Sequence, residues 1–386
     1  MRPPHRSVAN DATVIAYVAQ SCLASGPRPG QWTPPESQGS ARVAGEPPVD
    51  VVCLGESMVT FLPSRPGRLA DVPAFERAIG GAESNVACAL AAAGHRTRWI
   101  GRVGRDGFGD HLVETIGSYG VDVTAVDRDP RRPTGVYFRT AADRATDAHE
   151  VVYYRAGSAA SAMSPTTVPY ETVAGARVLH LTGITAALSD DCLALMRTLT
   201  APRPGRPLVS FDVNCRPGLW RDGAATAGPV LLELARRTDL VFVGADEAEQ
   251  AWGLTDPAAI RAALPEPAVL VVKRGADGAT VHERTGTGTD TVTHVPAPRV
   301  DVVAAVGAGD AFAAGFLSAT LRGLDATARL RHGHLLAAAA LTVPGDLAAP
   351  PRRAHADRLA ALTPAAWGTL QLGPGWTGDD QEGRTP

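Results

Sequence analysis

Lysine is almost absent from this 386-residue chain: of 37 basic residues, Lys273 is the single lysine and the rest are arginine. With 31 prolines and abundant alanine, that bias marks a GC-rich coding sequence, so arginine content alone carries little functional weight. Aromatic residues are scarce too, at 5%, against 45% hydrophobic residues and 40 glycines. Such a chain is a globular α/β protein packed with Val, Leu and Ala. The five cysteines (Cys22, Cys53, Cys88, Cys192, Cys215) are scattered and show no C-x-x-C spacing. This excludes a disulfide framework and a cysteine zinc site, and fits reduced thiols. No run reaches the roughly 18 apolar residues that span a bilayer, and the mildly apolar Val14 to Leu23 is a poor signal peptide. A net charge of -3 argues against nucleic acid or a membrane surface as partner. The expectation is a cytoplasmic protein.

Residues 1–47 are rich in Pro, Gly, Ser and Arg without periodicity and read as a disordered extension. Ordered sequence begins at Val49-Asp50-Val51-Val52-Cys53-Leu54-Gly55-Glu56, a buried strand ending in a glycine turn. Further apolar strands are expected at 99–100, 178–181, 208–211, 240–243 and 269–272. Helices are expected at 82–93, 107–119, 189–200, 226–237, 246–252, 257–264 and 309–322. Short buried strands separated by helices predict a mostly parallel sheet covered on both faces. Residues 58–63 and 134–155 alternate in β fashion around a polar turn at 141–149 and predict an antiparallel flap over the main domain. A flap of this kind invites pairing between subunits. After Pro364 the pattern is lost, so one domain over 48–364 and a disordered tail over 365–386 are expected.

Chemistry concentrates at Gly307-Ala308-Gly309-Asp310, between an apolar run and a small-residue helix pattern. A turn without bulky side chains leaves the first N–H groups of a helix free, and the helix dipole adds about half a positive charge there. Asp310 stands just inside the helix, where it could take a proton from a hydroxyl. An anion cradle beside a carboxylate base is what phosphoryl transfer to an alcohol requires. A plain glycine turn with a capping acid is the simpler reading of the tetrapeptide alone. A second cluster, Gly80-Gly81-Ala82-Glu83-Ser84-Asn85, opens another helix and supplies an amide suited to sugar hydroxyls, or simply a cap.

Taken with Gly101-x2-Gly104-x-Asp106-x2-Gly109, these two clusters resemble the ribokinase-like carbohydrate kinases, the PfkB family, over roughly residues 49–362. The stretches 153–159, 180–184 and 212–216 are similar to the 2-keto-3-deoxygluconate kinases of that family. The resemblance implies a three-layer α/β/α fold with a small β lid, and phosphorylation of a sugar acid at a terminal primary alcohol, with ATP and Mg²⁺. The cluster from Gly101 also looks like a dinucleotide fingerprint, but no acid ends a following strand, and it reads as a structural turn.

By the same resemblance, Asp310 is the general base, and Gly307, Ala308 and Gly309 form the anion hole. Gly81, Asn85, Tyr137 and Tyr153 hold the sugar, with Asp346 as a late acid beside it. Arg155 and Arg216 face the substrate carboxylate or the moving phosphate, since a guanidinium matches either anion bidentately. Asn214, Arg216, Lys273, Gly275, Gly278 and His334, with Gly307 and Gly309, fall to the nucleotide, and Glu247 influences Mg²⁺ through water. Two departures stand out. Gly244 replaces the Asn that usually precedes Glu247 by three, and Ala304, Ala305 and Val306 replace the oxygen-bearing residues that frame a monovalent-cation site. Another sugar kinase of the family (for ribose, fructose or 5-dehydro-2-deoxygluconate) and a non-catalytic sensor on the same fold stay open as alternatives.

Overall fold

Runs such as Val51-Val52-Cys53-Leu54 are apolar at every position, so neither face of that strand can meet water, and all four side chains are buried. The computed structural model describes residues 49–378 apart from 66, 141–149, 221–222 and 287. The expected disordered extension over 1–47 and the polar turn at 141–149 lie outside the described residues.

The chain runs from β1 (Val51–Leu54) through β2 (Met58–Pro63) and β3 (Phe75–Gly80) into α1 (Ala82–Ala92). β4 (Thr97–Ile100), β5 (Arg102–Gly104), α2 (Gly107–Ser118) and β6 (Asp127–Asp129) follow, then β7 (Val136–Arg139) and β8 (Val151–Tyr154). After α3 (Glu171–Ala174) come β9 (Val178–Thr182), α4 (Gly183–Ala187), α5 (Asp190–Leu199), β10 (Leu208–Asp212) and α6 (Ala224–Arg236). β11 (Leu240–Gly244), α7 (Ala245–Trp252), α8 (Pro257–Ala263) and β12 (Val269–Lys273) continue the alternation. A hairpin of β13 (Ala279–Arg284) and β14 (Asp290–Val295) leads to β15 (Arg299–Val300), α9 (Ala308–Leu321) and α10 (Ala326–Leu341). The described chain ends with α11 (Arg353–Ala360), α12 (Pro364–Gly368) and β16 (Gln371–Leu372).

Eight strands form the main sheet in the order β14-β13-β12-β11-β10-β9-β1-β4, parallel from β4 to β12 with the final hairpin antiparallel. Alternate side chains divide the core. Cys53, Phe242 and Val271 join Val86, Phe312, Phe316 and Leu335 on one face. Leu54, Val243 and Leu270 join Leu195, Leu231 and Ile260 on the other. This is the expected three-layer sandwich.

The lid departs from expectation. It is a four-stranded sheet, β3-β2-β7-β8, in which β2 and β7 run parallel, so the flap is mixed rather than antiparallel. Its missed member, β3, hands the chain from lid to core at Gly80. The disordered tail is also corrected: over 365–378 the chain completes α12, pairs β16 with β15, and buries Trp367 and Trp376. Residues 379–386 lie outside the described residues. The cluster at Gly101–Gly109 is a structural turn, with Asp106 accepting from the N–H groups of Phe108, Gly109 and Thr134.

Candidate active site

Parallel strands point their carboxyl ends at one edge of the sheet, and a crevice forms there where strand order reverses. Here β1 and β9 are neighbours at that reversal, and a cleft of about 920 Å³ opens between the strand ends and the lid. Its walls carry Asn85, Tyr137, Asn214, Lys273, Gly307 and Asp310 together, drawn from five separate stretches of chain.

Gly307 precedes α9 with φ 69°, and an added Cβ would land on the Asp346 carbonyl, so only glycine fits. No side chain caps α9, leaving its first N–H groups free toward the cleft. A Cβ on Gly309 would meet only the Lys273 ammonium, at 3.5 Å. Gly307, Ala308 and Gly309 all line the cleft beside Asp310.

Asp310 sits in the first turn of α9. Its Oδ2 accepts a 2.9 Å hydrogen bond from Asn85 Nδ2, which joins the two glycine motifs across 225 residues of sequence. Burial pushes its carboxyl from the ordinary value up to about 7; the Asn85 bond and Lys273 oppose that shift, while Asp212 and Asp346 reinforce it. A carboxylate with a pKa near neutrality and a fixed orientation is suited to general-base work. The side-chain Oδ1 of Asn85 is buried and unpartnered, as is that of Asn214, which holds a strained left-handed backbone at φ 38°. Orphaned acceptors on a cleft wall mark places where a ligand hydroxyl or amine completes the bonding.

Lys273 ends β12 and donates a 2.7 Å hydrogen bond to Asp212 Oδ2 at the end of β10. Burial works against its charge, but Asp212 and Glu247 outweigh burial and hold the pKa above the ordinary lysine value. A fixed ammonium therefore stands at the open start of α9. Glu247 is occupied: Oε2 accepts from the Gly244 N–H at 2.8 Å, and Oε1 faces Arg216 Nη1 at 3.2 Å. It lines the cleft, yet among the described residues no group of three or more His, Cys, Asp or Glu is arranged for a metal. The donor set thus fits a magnesium ion carried by phosphates and water, not one caged by the protein. Arg216 lines the cleft with its side chain 52% exposed.

The lid supplies Tyr137 and Tyr153, stacked at 5.4 Å, and Arg155, all on the cleft wall. Arg155 is not free: its guanidinium pairs with the buried carboxylate of Glu56, between β1 and β2. Glu56 also accepts from Ser158 Oγ at 2.6 Å. Asp346 accepts from Tyr137 Oη at 2.9 Å and from Arg139 Nη2 at 3.1 Å. Gly81 lines the floor.

Three expected nucleotide residues are elsewhere. His334 is buried in α10, packed on Phe312 and bonded to the Val295 carbonyl; burial lowers its pKa to about 4, so it is a neutral core histidine. Gly275 and Gly278 shape the turn after β12 through positive φ values of 54° and 103° and are not among the cleft-lining residues. Reasoning from sequence missed Arg139, Asp212 as the partner of Lys273, and Glu83. The buried Glu83 carboxyl accepts from Thr182 and Thr185. The signal for Arg139 was its period-two spacing from Tyr137 in a strand, which puts both on one face.

A family model for "pfkB family carbohydrate kinase" matches residues 49–353. The chain is 35% identical over 322 residues to the 2-dehydro-3-deoxygluconokinase of Bacillus subtilis (strain 168), covering 82% of this chain and 96% of that protein. It is 34% identical over 313 residues to the 2-dehydro-3-deoxygluconokinase of Thermoproteus tenax, covering 81% and 94%. Among solved structures, a PfkB protein from Polaromonas sp. JS666 superposes with a TM-score of 0.70 at 34% identity, covering 81% of this chain and 100% of that one. A sugar kinase from Pyrococcus horikoshii in complex with ATP gives 0.69 at 25% identity, covering 82% and 99%. This chain belongs to the PfkB family of carbohydrate kinases, with the ribokinase-like fold, and is a phosphotransferase acting on a sugar hydroxyl.

Proposed function

We propose that the protein phosphorylates 2-dehydro-3-deoxy-D-gluconate at its terminal primary hydroxyl, giving the 6-phosphate, with Mg·ATP as donor. The observation that carries the chemistry is the Asn85–Asp310 hydrogen bond at the uncapped start of α9, beside the Lys273 ammonium. ATP supplies the γ-phosphoryl group. Asp310 removes the proton from the sugar hydroxyl as that oxygen forms its bond to phosphorus. The free N–H groups of Ala308 to Asp310 and the Lys273 ammonium receive the charge that develops as the bridging P–O bond breaks. Asn214 would hold the nucleotide phosphates, and Glu247 would act on Mg²⁺ through water. The dependence on a cytosolic nucleotide places the protein in the cytoplasm in this reading.

The substrate assignment rests on the two gluconokinases similar to this chain and on Arg216, which pairs with Glu247 through Nη1 and presents the rest of a half-exposed guanidinium suited to a carboxylate. One observation favours a neutral sugar instead: both lid arginines, Arg139 and Arg155, already face carboxylates of the protein. Steady-state ADP release across keto-deoxy sugar acids, ribose and fructose decides between them. A kcat/KM at least about tenfold higher for the acid (roughly 1.4 kcal/mol of discrimination) is the expected result, and a preference for fructose or ribose overturns the assignment. Binding of sugar and ATP with no ADP from any of them would instead favour a sensor.

We also propose that the protein forms a homodimer or higher homo-oligomer through the lid, where Phe138 makes ring contacts with Phe61, Phe75 and the exposed Tyr154. Light scattering of the intact protein tests this, and a monomer refutes it.

A further inference from the structure

The two glycine motifs of the cleft meet on one residue, Asp346. Its backbone packs against Gly307, where an added Cβ would land on the Asp346 carbonyl. Its carboxylate packs against Gly80, where an added Cβ would fall on the Tyr137 hydroxyl and 2.7 Å from Asp346 Oδ2. Two lid side chains then grip that carboxylate from the same strand face: Tyr137 Oη on Oδ2, and Arg139 Nη2 on Oδ1. The same Arg139 nitrogen donates to the Pro344 carbonyl at 3.0 Å, fixing the loop on both sides of Gly345. Arg139 and Asp346 are almost fully buried, with side chains 7% and 11% exposed.

We propose that Arg139 is a positioning residue that transmits the state of the lid to the anion hole, with Asp346 as the strut between them. The proposal rests on the kinase reading of the cleft. A lid that settles over the sugar carries strand β7 with it. Because Asp346 is wedged between β7 and Gly307, movement of the lid sets the placement of the first residues of α9. Sugar occupancy and readiness of the phosphoryl site are thereby joined in one contact chain. A strut in a packed interior moves as a unit, since such contacts have little slack. Arg139 does this work through Asp346, so its removal costs turnover more than sugar affinity.

A double-mutant cycle on the intact enzyme tests this, using Arg139→Met, Asp346→Asn and the pair, with the best sugar from the panel above. Arg139→Met is expected to lower kcat by about 10–100-fold, the scale of an ångström-sized misplacement. Sugar KM should stay within threefold, and Arg139→Lys should recover part of the loss. In the Asp346→Asn background, Arg139→Met should cost less than about twofold. Additive losses, or a loss seen mainly in sugar KM, would show that Arg139 contacts substrate itself and would overturn the proposal. Arg139→Met that leaves kcat unchanged would also overturn it. If Arg139→Met does not fold, Tyr137→Phe and Arg139→Lys carry the same cycle. Should no sugar release ADP, the kinase reading falls, and the relay is then judged by the ATP-induced rise in melting temperature. That rise is expected to shrink in the single variants and to shrink no further in the double variant; an undiminished rise refutes the relay.

Discussion

Two helices, α1 and α9, begin at glycine turns on the same cleft and pack against each other, yet their leading ends differ in what surrounds them. At the start of α1, a Cβ on Gly81 would fall 2.6 Å from the Glu56 carbonyl and 2.8 Å from Ser57 Cα. That end is filled by protein. At the start of α9 the capping Gly307 is blocked by the Asp346 carbonyl, but two residues on, a Cβ on Gly309 would meet only the end of a lysine side chain, at ordinary contact distance. One glycine is required by the fold, and the other leaves room for a ligand. The same residue type near a helix start thus marks a structural constraint at one end and a chemical opportunity at the other.

The largest test of this contrast is Asp310→Asn. It removes the base at the open end, and kcat for ADP release should fall by about 10²–10⁴-fold. Stability should move the other way. With a folded pKa of about 7, well above the ordinary aspartate value, the native state binds more protons than the unfolded chain between those limits. Stability therefore declines as pH rises through that window, and the loss is complete above about 7. Asp310→Asn should raise the melting temperature at pH 8 and leave it unchanged at pH 3.5. An equal rise at both pH values would refute the linkage.

Alanine at the two glycines separates them directly. Gly309→Ala should fold with wild-type stability or better, because Ala suits a helix by up to about 1 kcal/mol and the methyl group has space. Its kcat should nevertheless fall about tenfold or more, because that methyl occupies the phosphate path. Gly81→Ala should lose about 1–3 kcal/mol of stability, measured by urea unfolding, because the methyl overlaps backbone. Equal stability losses in the two variants would erase the contrast.

Much of this arrangement could be read in advance, and the failures share a physical cause. The five inner parallel strands were visible because each is largely apolar on both faces, and both glycine turns because they break from strand to helix. Helix α10 was missed because its buried face carries Arg329, Arg331, His332 and His334 where apolar residues would be expected. Each has a distant partner: Glu283 for Arg329, the Ala360 and Leu362 carbonyls for Arg331, Asp357 for His332 and the Val295 carbonyl for His334. No local pattern announces such partners. The closing segment was missed because two tryptophans, not a periodic stripe, anchor it. At the site, residue types were legible and their pairings were not. Arg155 looked like a free cation until Glu56, nearly 100 residues earlier, was found beside it.

Asn85 joins the two helix starts, and its removal should show as a displaced pH profile. Its amide donates to Asp310 and holds the pKa down against burial. In Asn85→Ala the Asp310 pKa should rise, so the acidic limb of kcat/KM should move to higher pH. Activity should then fall by about tenfold relative to wild type near pH 6 and by less near pH 8, beyond any uniform loss from the missing sugar contact. A limb that stays in place would mean that Asn85 serves the sugar alone.

Glu83 offers the smallest effect and the cleanest view of the closed end. It lies in the first turn of α1, where a helix dipole favours a negative charge, yet burial pushes its carboxyl up to about 7. Hydrogen bonds from Thr182 and Thr185 oppose that rise without cancelling it, and its second oxygen is buried and unpartnered. The sign of the linkage matches that of Asp310: native stability falls as pH climbs from the ordinary carboxylate range toward 7. Glu83→Gln keeps the acceptor for both threonines and removes the titration. It should melt slightly higher than wild type at pH 8 and equally at pH 4, with kcat within about twofold, because Glu83 lies behind the cleft wall and not on it. A kcat loss comparable to that of Asp310→Asn would mean that the closed helix start takes part in the chemistry, and the contrast between the two ends would fail there.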